Sequence, residues 1–299
     1  MERSEGNLLS RMSKIAPPRL LFFKSFRVQT QLIYASTICQ FHVVTHQIPS
    51  RETVFDYWLD VETSTFDQWT KSPFFYSLDY DTNTPMASVT VPTPETCSVT
   101  FWMQNLVNMM RPVMLAGPAG TGKTQMVHGL LAQLDPNQRI FSTINFNFYT
   151  TSTVLQTTMG IPLEKKSGVN FGPPGQKKLV YFIDDVNLPE VDKYNTQSAV
   201  ELLRQHMEYE HVYDLSKLST NPIKHIANTQ VVSCMNPTAG SFEINPRLQR
   251  WFALFAIGLP GPTSLLTIYQ TFLTGHLRNF EHEVKGITSN TIKVNSTRH

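Results

Sequence analysis

The chain has 299 residues, 41% hydrophobic and 16% charged, with a formal net charge of +2. That balance excludes a disordered or collagen-like chain, and the length suffices for one large domain or two ordinary ones without disulfide or metal staples. No apolar run approaches the about 20 residues of a membrane-spanning helix.

The charge is unevenly placed. Residues 1–45 carry six basic and two acidic side chains, so the remainder is close to neutral and gives no support for nucleic-acid binding. The basic start is compatible with an organelle transit peptide. Its apolar runs, Leu20–Phe23 and Leu32–Ala35, show no sustained helical stripe, so residues 1–46 are left as an unassigned extension. Cys39, Cys97 and Cys234 lack metal-ligand spacing and read as thiols of a reducing, intracellular compartment.

In chain order, residues 47–111 mix aromatics with turn formers and then present a helix start. Thr93 is placed as N-cap with Pro94 at the first helical position. The expected helix runs to about Met110, with Val99, Trp102, Met103 and Leu106 on its apolar face. Residues 112–276 alternate short apolar runs with helical patterns. The runs Val113–Ala116, Ile140–Phe146, Leu179–Ile183, Gln230–Met235 and Phe252–Ile257 predict five strands of an α/β domain with a largely parallel sheet. Residues 277–299 are polar and weakly patterned.

Gly117-Pro118-Ala119-Gly120-Thr121-Gly122-Lys123-Thr124 completes the phosphate-loop pattern, between an apolar strand and a helix carrying Met126, Val127, Leu130, Leu131 and Leu134. Glycines let successive backbone N–H groups converge on one anion, and the positive end of the helix adds to that field. Lys123 is expected on the β- and γ-phosphates, and the Thr124 hydroxyl on Mg²⁺. Leu179–Asp185 has the form of a Walker B strand, in which Asp184 holds Mg²⁺ and Asp185 occupies the position that polarises the attacking water. Many ATPases carry Glu there. The shorter Asp185 leaves binding intact and makes hydrolysis doubtful. Asn236, ending the run Val231–Met235, is placed like a polar sensor, although Asn before Pro237 is also a common turn residue. Arg247 and Arg250 have the spacing of arginine fingers, or of a salt-bridged helix end.

These motifs follow the order of an AAA+ ATPase. A guanine-reading Asn-Lys-x-Asp motif and a helicase-type Asp-Glu-Ala-Asp box are both missing. The strings Asn147–Ser152, Leu163–Gly168, Phe171–Gly175, Phe182–Tyr194 and Cys234–Phe242 resemble dynein heavy chains, in particular the third AAA+ module of the axonemal, outer-arm type, over roughly residues 47–276. Thr53–Tyr57 resembles the linker into that module.

The resemblance implies an AAA+ large subdomain, a parallel five-stranded sheet flanked by helices, binding ATP or ADP with Mg²⁺. It also implies regulation of microtubule-based motility within a motor ring, in the cytoplasm and cytoskeleton of the cilium axoneme. Partners would be the neighbouring AAA+ modules and other dynein chains, with microtubules reached only through the full heavy chain and neither nucleic acid nor membrane involved. Arg247 and Arg250 would then face the nucleotide of the preceding second module, and residues 165–174 would form a hairpin insertion. The small helical lid of such modules is not recognisable after about residue 276. Rival readings are a truncated, non-hydrolysing nucleotide-binding or interaction fragment, and an independent P-loop ATPase.

Overall fold

The computed structural model describes residues 57–60, 63, 65–214, 223–237, 243–278 and 280. The N-terminal extension, Thr53–Asp56, Thr238–Phe242 and the tail from 281 onward lie outside the described residues.

Tyr57–Asp60 (β1) and Thr65–Gln68 (β2) pair as an antiparallel hairpin. It rests on the first helix, Pro94–Asn108 (α1), through stacked aromatic rings: Trp58, Trp69 and Phe74 all lie 5.0–5.7 Å from Phe101. The expected cap of α1 is present and reciprocal. Thr93 Oγ1 accepts from the Thr96 amide at 3.3 Å while the Thr93 amide donates to Thr96 Oγ1 at 2.8 Å, which satisfies two of the backbone donors a helix start leaves open.

The chain then enters Val113–Ala116 (β3), the helix Lys123–Ala132 (α2), Arg139–Asn145 (β4) and Ser152–Gly160 (α3). The hairpin Glu164–Ser167 (β5) and Asn170–Gly172 (β6) precedes Lys178–Asp184 (β7) and Ser198–Tyr209 (α4). His211–Tyr213 (β8), Ile223–Ile226 (β9), Thr229–Met235 (β10), the short Pro246–Gln249 (α5), Ala253–Ala256 (β11) and Pro262–His276 (α6) complete it.

Five strands form one wholly parallel sheet in the order β11-β3-β10-β7-β4. The five predicted runs are these strands, shifted by a residue or so at their ends. Phe146 lies just past β4 yet its amide still bonds the Asp184 carbonyl at 3.0 Å. Because both faces of the sheet are covered, the central strands are largely apolar, the pattern of a buried parallel sheet, although β10 also buries Gln230 and Ser233. Side chains alternate between two cores. Leu179, Tyr181 and Ile183 of β7 pack with Leu155, Met159, Val200 and Leu203 from α3 and α4. Val180 and Phe182 point the other way, to Met103 and Val107 of α1 and Val127, Leu130 and Leu131 of α2. The expected boundary at 111/112 therefore falls between α1 and β3, across a core that is continuous.

A second sheet, β5-β6-β9-β8, carries the β5–β6 hairpin at one edge, where residues 165–174 predict it. The parallel β6–β9 pairing and the antiparallel β8–β9 pairing that complete this sheet have no clear signature in sequence. Helix α6 is tied to α1, Ser264 Oγ donating to the Glu95 carboxylate at 2.7–2.9 Å. No helix among the described residues is long and apolar enough to cross a membrane.

Candidate nucleotide site

Parallel strands bring their carboxyl ends to one edge, and in open α/β sheets ligands bind there. β3 ends in the loop Gly117–Gly122, which leads directly into α2. The loop is fixed by backbone: the Gly117 amide donates to the Met235 carbonyl at 3.2 Å, and the Ile257 amide to Ala116 at 2.7 Å. A Cβ at Gly117 would sit 2.1 Å from the Ile257 carbonyl oxygen, so only glycine fits. Gly120 and Gly122 have φ of 79° and 77°, the left-handed region that side chains disfavour. Gly122 is the N-cap of α2 and offers no side-chain cap, leaving the first-turn amides available to an anion.

Lys123 is buried. Its ammonium sits within the loop, donating to the carbonyls of Gly117 (2.9 Å) and Pro118 (2.7 Å) and at 3.4 Å to Thr121 Oγ1. One residue on, Thr124 Oγ1 donates to Asp184 Oδ2 at 3.0 Å. This bond joins residues 60 positions apart in sequence, the start of α2 and the end of β7. Asp184 Oδ1 accepts from the Asp185 amide at 3.1 Å.

Asp185 itself lies in the left-handed region, φ 52°. Burial first, and then the Asp184 charge beside it, raise its carboxyl above the ordinary value of 3.8, with Lys123 opposing.

Asn236 follows β10, the strand hydrogen-bonded to β7 on one side and to β3 on the other, so the sheet brings it to the same edge as the loop and Asp184. Its carbonyl accepts from Asn187 Nδ2 at 2.9 Å.

The arginines lie elsewhere. Arg250 Nη2 donates to Glu208 Oε1 at 3.1 Å, and Glu208 is near the C-terminal end of α4. His206, half a turn earlier, bonds Thr229, the first residue of β10. Arg250 is therefore at the amino edge of the sheet, separated from Asn236 by the seven residues of β10, roughly 20 Å of strand. Arg247 sits on α5, exposed. Neither is brought to the phosphate loop of its own chain. A cavity of about 370 Å³ also lies at that amino edge, where β4 and β7 begin, lined by Asn137, Arg139, Lys177 and Lys178 among others.

The residues at the carboxyl edge fit a nucleotide with Mg²⁺. Among the described residues no group of three His, Cys, Asp or Glu could hold a metal by itself. A hydroxyl and one or two carboxylates are the sparse protein set that Mg²⁺ uses when phosphate oxygens and water supply the rest. Thr124 and Asp184 would hold the ion, which would supply positive charge against bound phosphate. Sequence reading singled out neither Asn187 nor the Ile257 carbonyl. Asn187 carried a signal, a polar residue two positions after the paired aspartates in an otherwise buried turn.

A parallel sheet in this strand order, with a phosphate loop on one central strand and a paired-aspartate strand one place removed, defines a P-loop domain of the AAA+ class. Residues 78–260 match the family model for the P-loop containing dynein motor region, and the chain belongs to that family. It is 50% identical to dynein axonemal heavy chain 9 of Homo sapiens over 234 residues, 78% of this chain. Over 242 residues, 81% of the chain, it is 46% identical to the alpha chain of the flagellar outer arm dynein of Chlamydomonas reinhardtii. Over 236 residues, 79% of the chain, it is 50% identical to the ciliary dynein beta chain of Tripneustes gratilla. In each case the match spans about 5% of the relative's length.

Proposed function

We propose that this chain is the nucleotide-binding large subdomain of the third AAA+ module of an axonemal, outer-arm-type dynein heavy chain. Gly117, Pro118, Ala119, Gly120, Thr121, Gly122, Lys123 and Thr124 cradle the phosphates of ATP or ADP. Thr124 and Asp184 hold Mg²⁺, Asn236 senses the terminal phosphate, and Asp185 faces the attacking water. Arg247 and Arg250 serve the nucleotide of the preceding module; their place at the amino edge of the sheet supports that assignment. The setting is a motor ring in the cilium axoneme, in which nucleotide state biases packing against neighbouring modules. The names of the relatives support that setting. Tyr149 and Tyr194, 81% and 72% exposed on loops that follow β4 and β7, are suited to contacts with such neighbours.

The observation that carries the reading is the 3.0 Å bond from Thr124 to Asp184. It joins Thr124 and Asp184, which belong to different elements, and so supports a shared role for them toward Mg²⁺. The test is titration with MgATP and MgADP. Wild type binds and Lys123→Ala does not; equal affinity of the two would remove the phosphate-loop assignment. Hydrolysis is expected to stay below about one turnover per second, the lower end of the ordinary enzyme range, since Asp185 is a methylene shorter than glutamate.

A further inference from the structure

We propose that Asn187 is a positioning residue whose side-chain amide fastens the Asp184-Asp185 turn to Asn236 and so holds the Asn236 side chain in register with the terminal phosphate. The inference rests on the nucleotide reading above and names a residue which that reading leaves without a role.

The β7–β10 ladder ends at the pair Ile183 and Ser233. Beyond it one backbone bond remains, from the Val186 amide to the Cys234 carbonyl at 3.1 Å. The next tie across the two segments is made by a side chain, Asn187 Nδ2 to the Asn236 carbonyl at 2.9 Å. The amide thus replaces the ladder where both strands leave the sheet and where the chemistry of the site begins. The left-handed backbone at Asp185, φ 52°, turns the chain so that Asn187 reaches inward.

Asn187 is 2% exposed, and its Oδ1 finds no donor among the described residues. An acceptor left unpaired in the interior is costly, yet the flipped amide would set oxygen against the Asn236 carbonyl oxygen. The donor orientation is therefore the one the surroundings permit. The asparagine is held from behind as well. Gln197 Nε2, itself buried, donates to the carbonyls of Asn187 at 3.3 Å and Pro189 at 2.6 Å. Backbone and side chain of Asn187 are both fixed, so the bond to Asn236 transmits position rather than following it.

The phosphate loop has anchors of its own, the Gly117 amide on the Met235 carbonyl and Thr124 on Asp184, and neither uses the Asn187 side chain. Loss of the amide should leave the grip on a diphosphate intact and weaken only the contact made to a third phosphate. The experiment measures affinity for MgADP and for a non-hydrolysable MgATP analogue on the full 299-residue chain. The variants are Asn187→Ala, Asn236→Ala and their combination, with melting temperature recorded for each. Asn187→Ser, whose hydroxyl is too short to span the gap, is a milder variant in case alanine impairs folding.

The expected result is a preference for the triphosphate analogue reduced about five- to tenfold by either asparagine substitution, as for one lost hydrogen bond of ordinary strength. MgADP affinity should be unchanged, and the double variant should show no further loss of preference. A preference unaltered in Asn187→Ala and Asn187→Ser, equal loss of both nucleotides, or additive losses in the double variant would overturn the proposal. Absence of nucleotide binding by the wild type would instead overturn the reading on which it rests.

Discussion

At the scale of single residues, the site balances like charges against geometry. Asp185 occupies a left-handed backbone that Asp and Asn tolerate better than longer side chains. Its charge is disfavoured by burial and by Asp184. Asp185→Asn should therefore keep the turn and raise the melting temperature by about 2 °C, whereas Asp185→Glu should lower it while MgADP binding persists. Thermal scans of the two variants decide this. His206 gives a pH dependence of known sign. It is buried, with Nε2 against Thr229 Oγ1 and the Tyr181 ring nearby, and burial pushes it down to about 4 from 6.5. The unfolded chain then binds the extra proton first, so the stability due to neutral His206 is complete above pH 6.5. It is lost as pH falls through 4. Melting temperature plotted against pH should fall more steeply between 6.5 and 4 in wild type than in His206→Gln; parallel curves would refute the assignment.

At the scale of elements, what could be read in sequence was what has a local cause. Thr93, Pro94 and Thr96 start α1 through their own side chains, and the glycine-lysine loop after an apolar strand announces itself. The central strands were legible because a sheet covered on both faces favours largely apolar runs. The small sheet was not: β8 and β9 are three and four residues long, and β6, which pairs with β9, is some 50 positions away, a pairing no local pattern encodes. The same holds within the site. Lys123, Thr124 and Asp184 carry motif signatures, but the Asn187–Asn236 bond spans 49 positions and depends on the register of two strands. The local causes predict local costs. Thr93→Ala removes one half of the reciprocal cap and should cost about 1 kcal/mol. Phe182→Ala, in the middle of β7 and fully buried, should cost about 3–5 kcal/mol. Denaturant midpoints at constant slope would check both.

At the scale of the whole molecule, the sheet separates two kinds of chemistry. The phosphate-loop motif and the paired aspartates gather at its carboxyl edge, while the ion-paired cluster of Arg204, Glu201, Glu208 and Arg250 lies at the other. Arg250 is more than half exposed, so Arg250→Ala should change stability by no more than about 0.5 kcal/mol. It should also leave nucleotide affinity of this chain's own loop unaltered. A fall in that affinity would contradict the separation of the two edges. If arginines here act on a neighbouring module, the defect should appear only when that module is present. An antibody to the exposed segment around Tyr194 should then detect, in ciliated tissue, a product far larger than 34.0 kDa.

The contact between Gly117 and the Ile257 carbonyl has a consequence for descent as well as for stability. A protein drifts by single substitutions that its neighbours forgive, and at Gly117 every substitution begins with a carbon 2.1 Å from a backbone oxygen whose own residue is tied to Ala116 through its amide. Gly120 and Gly122 meet nothing within 4 Å and resist only through torsion, so Asn or Asp should survive there in part. Selection from a saturation library should leave a single permitted letter at 117 and a short alphabet at 120 and 122. The first glycine of the loop is thus a lineage's dead end, closed to drift by the strand beside it before any nucleotide is considered.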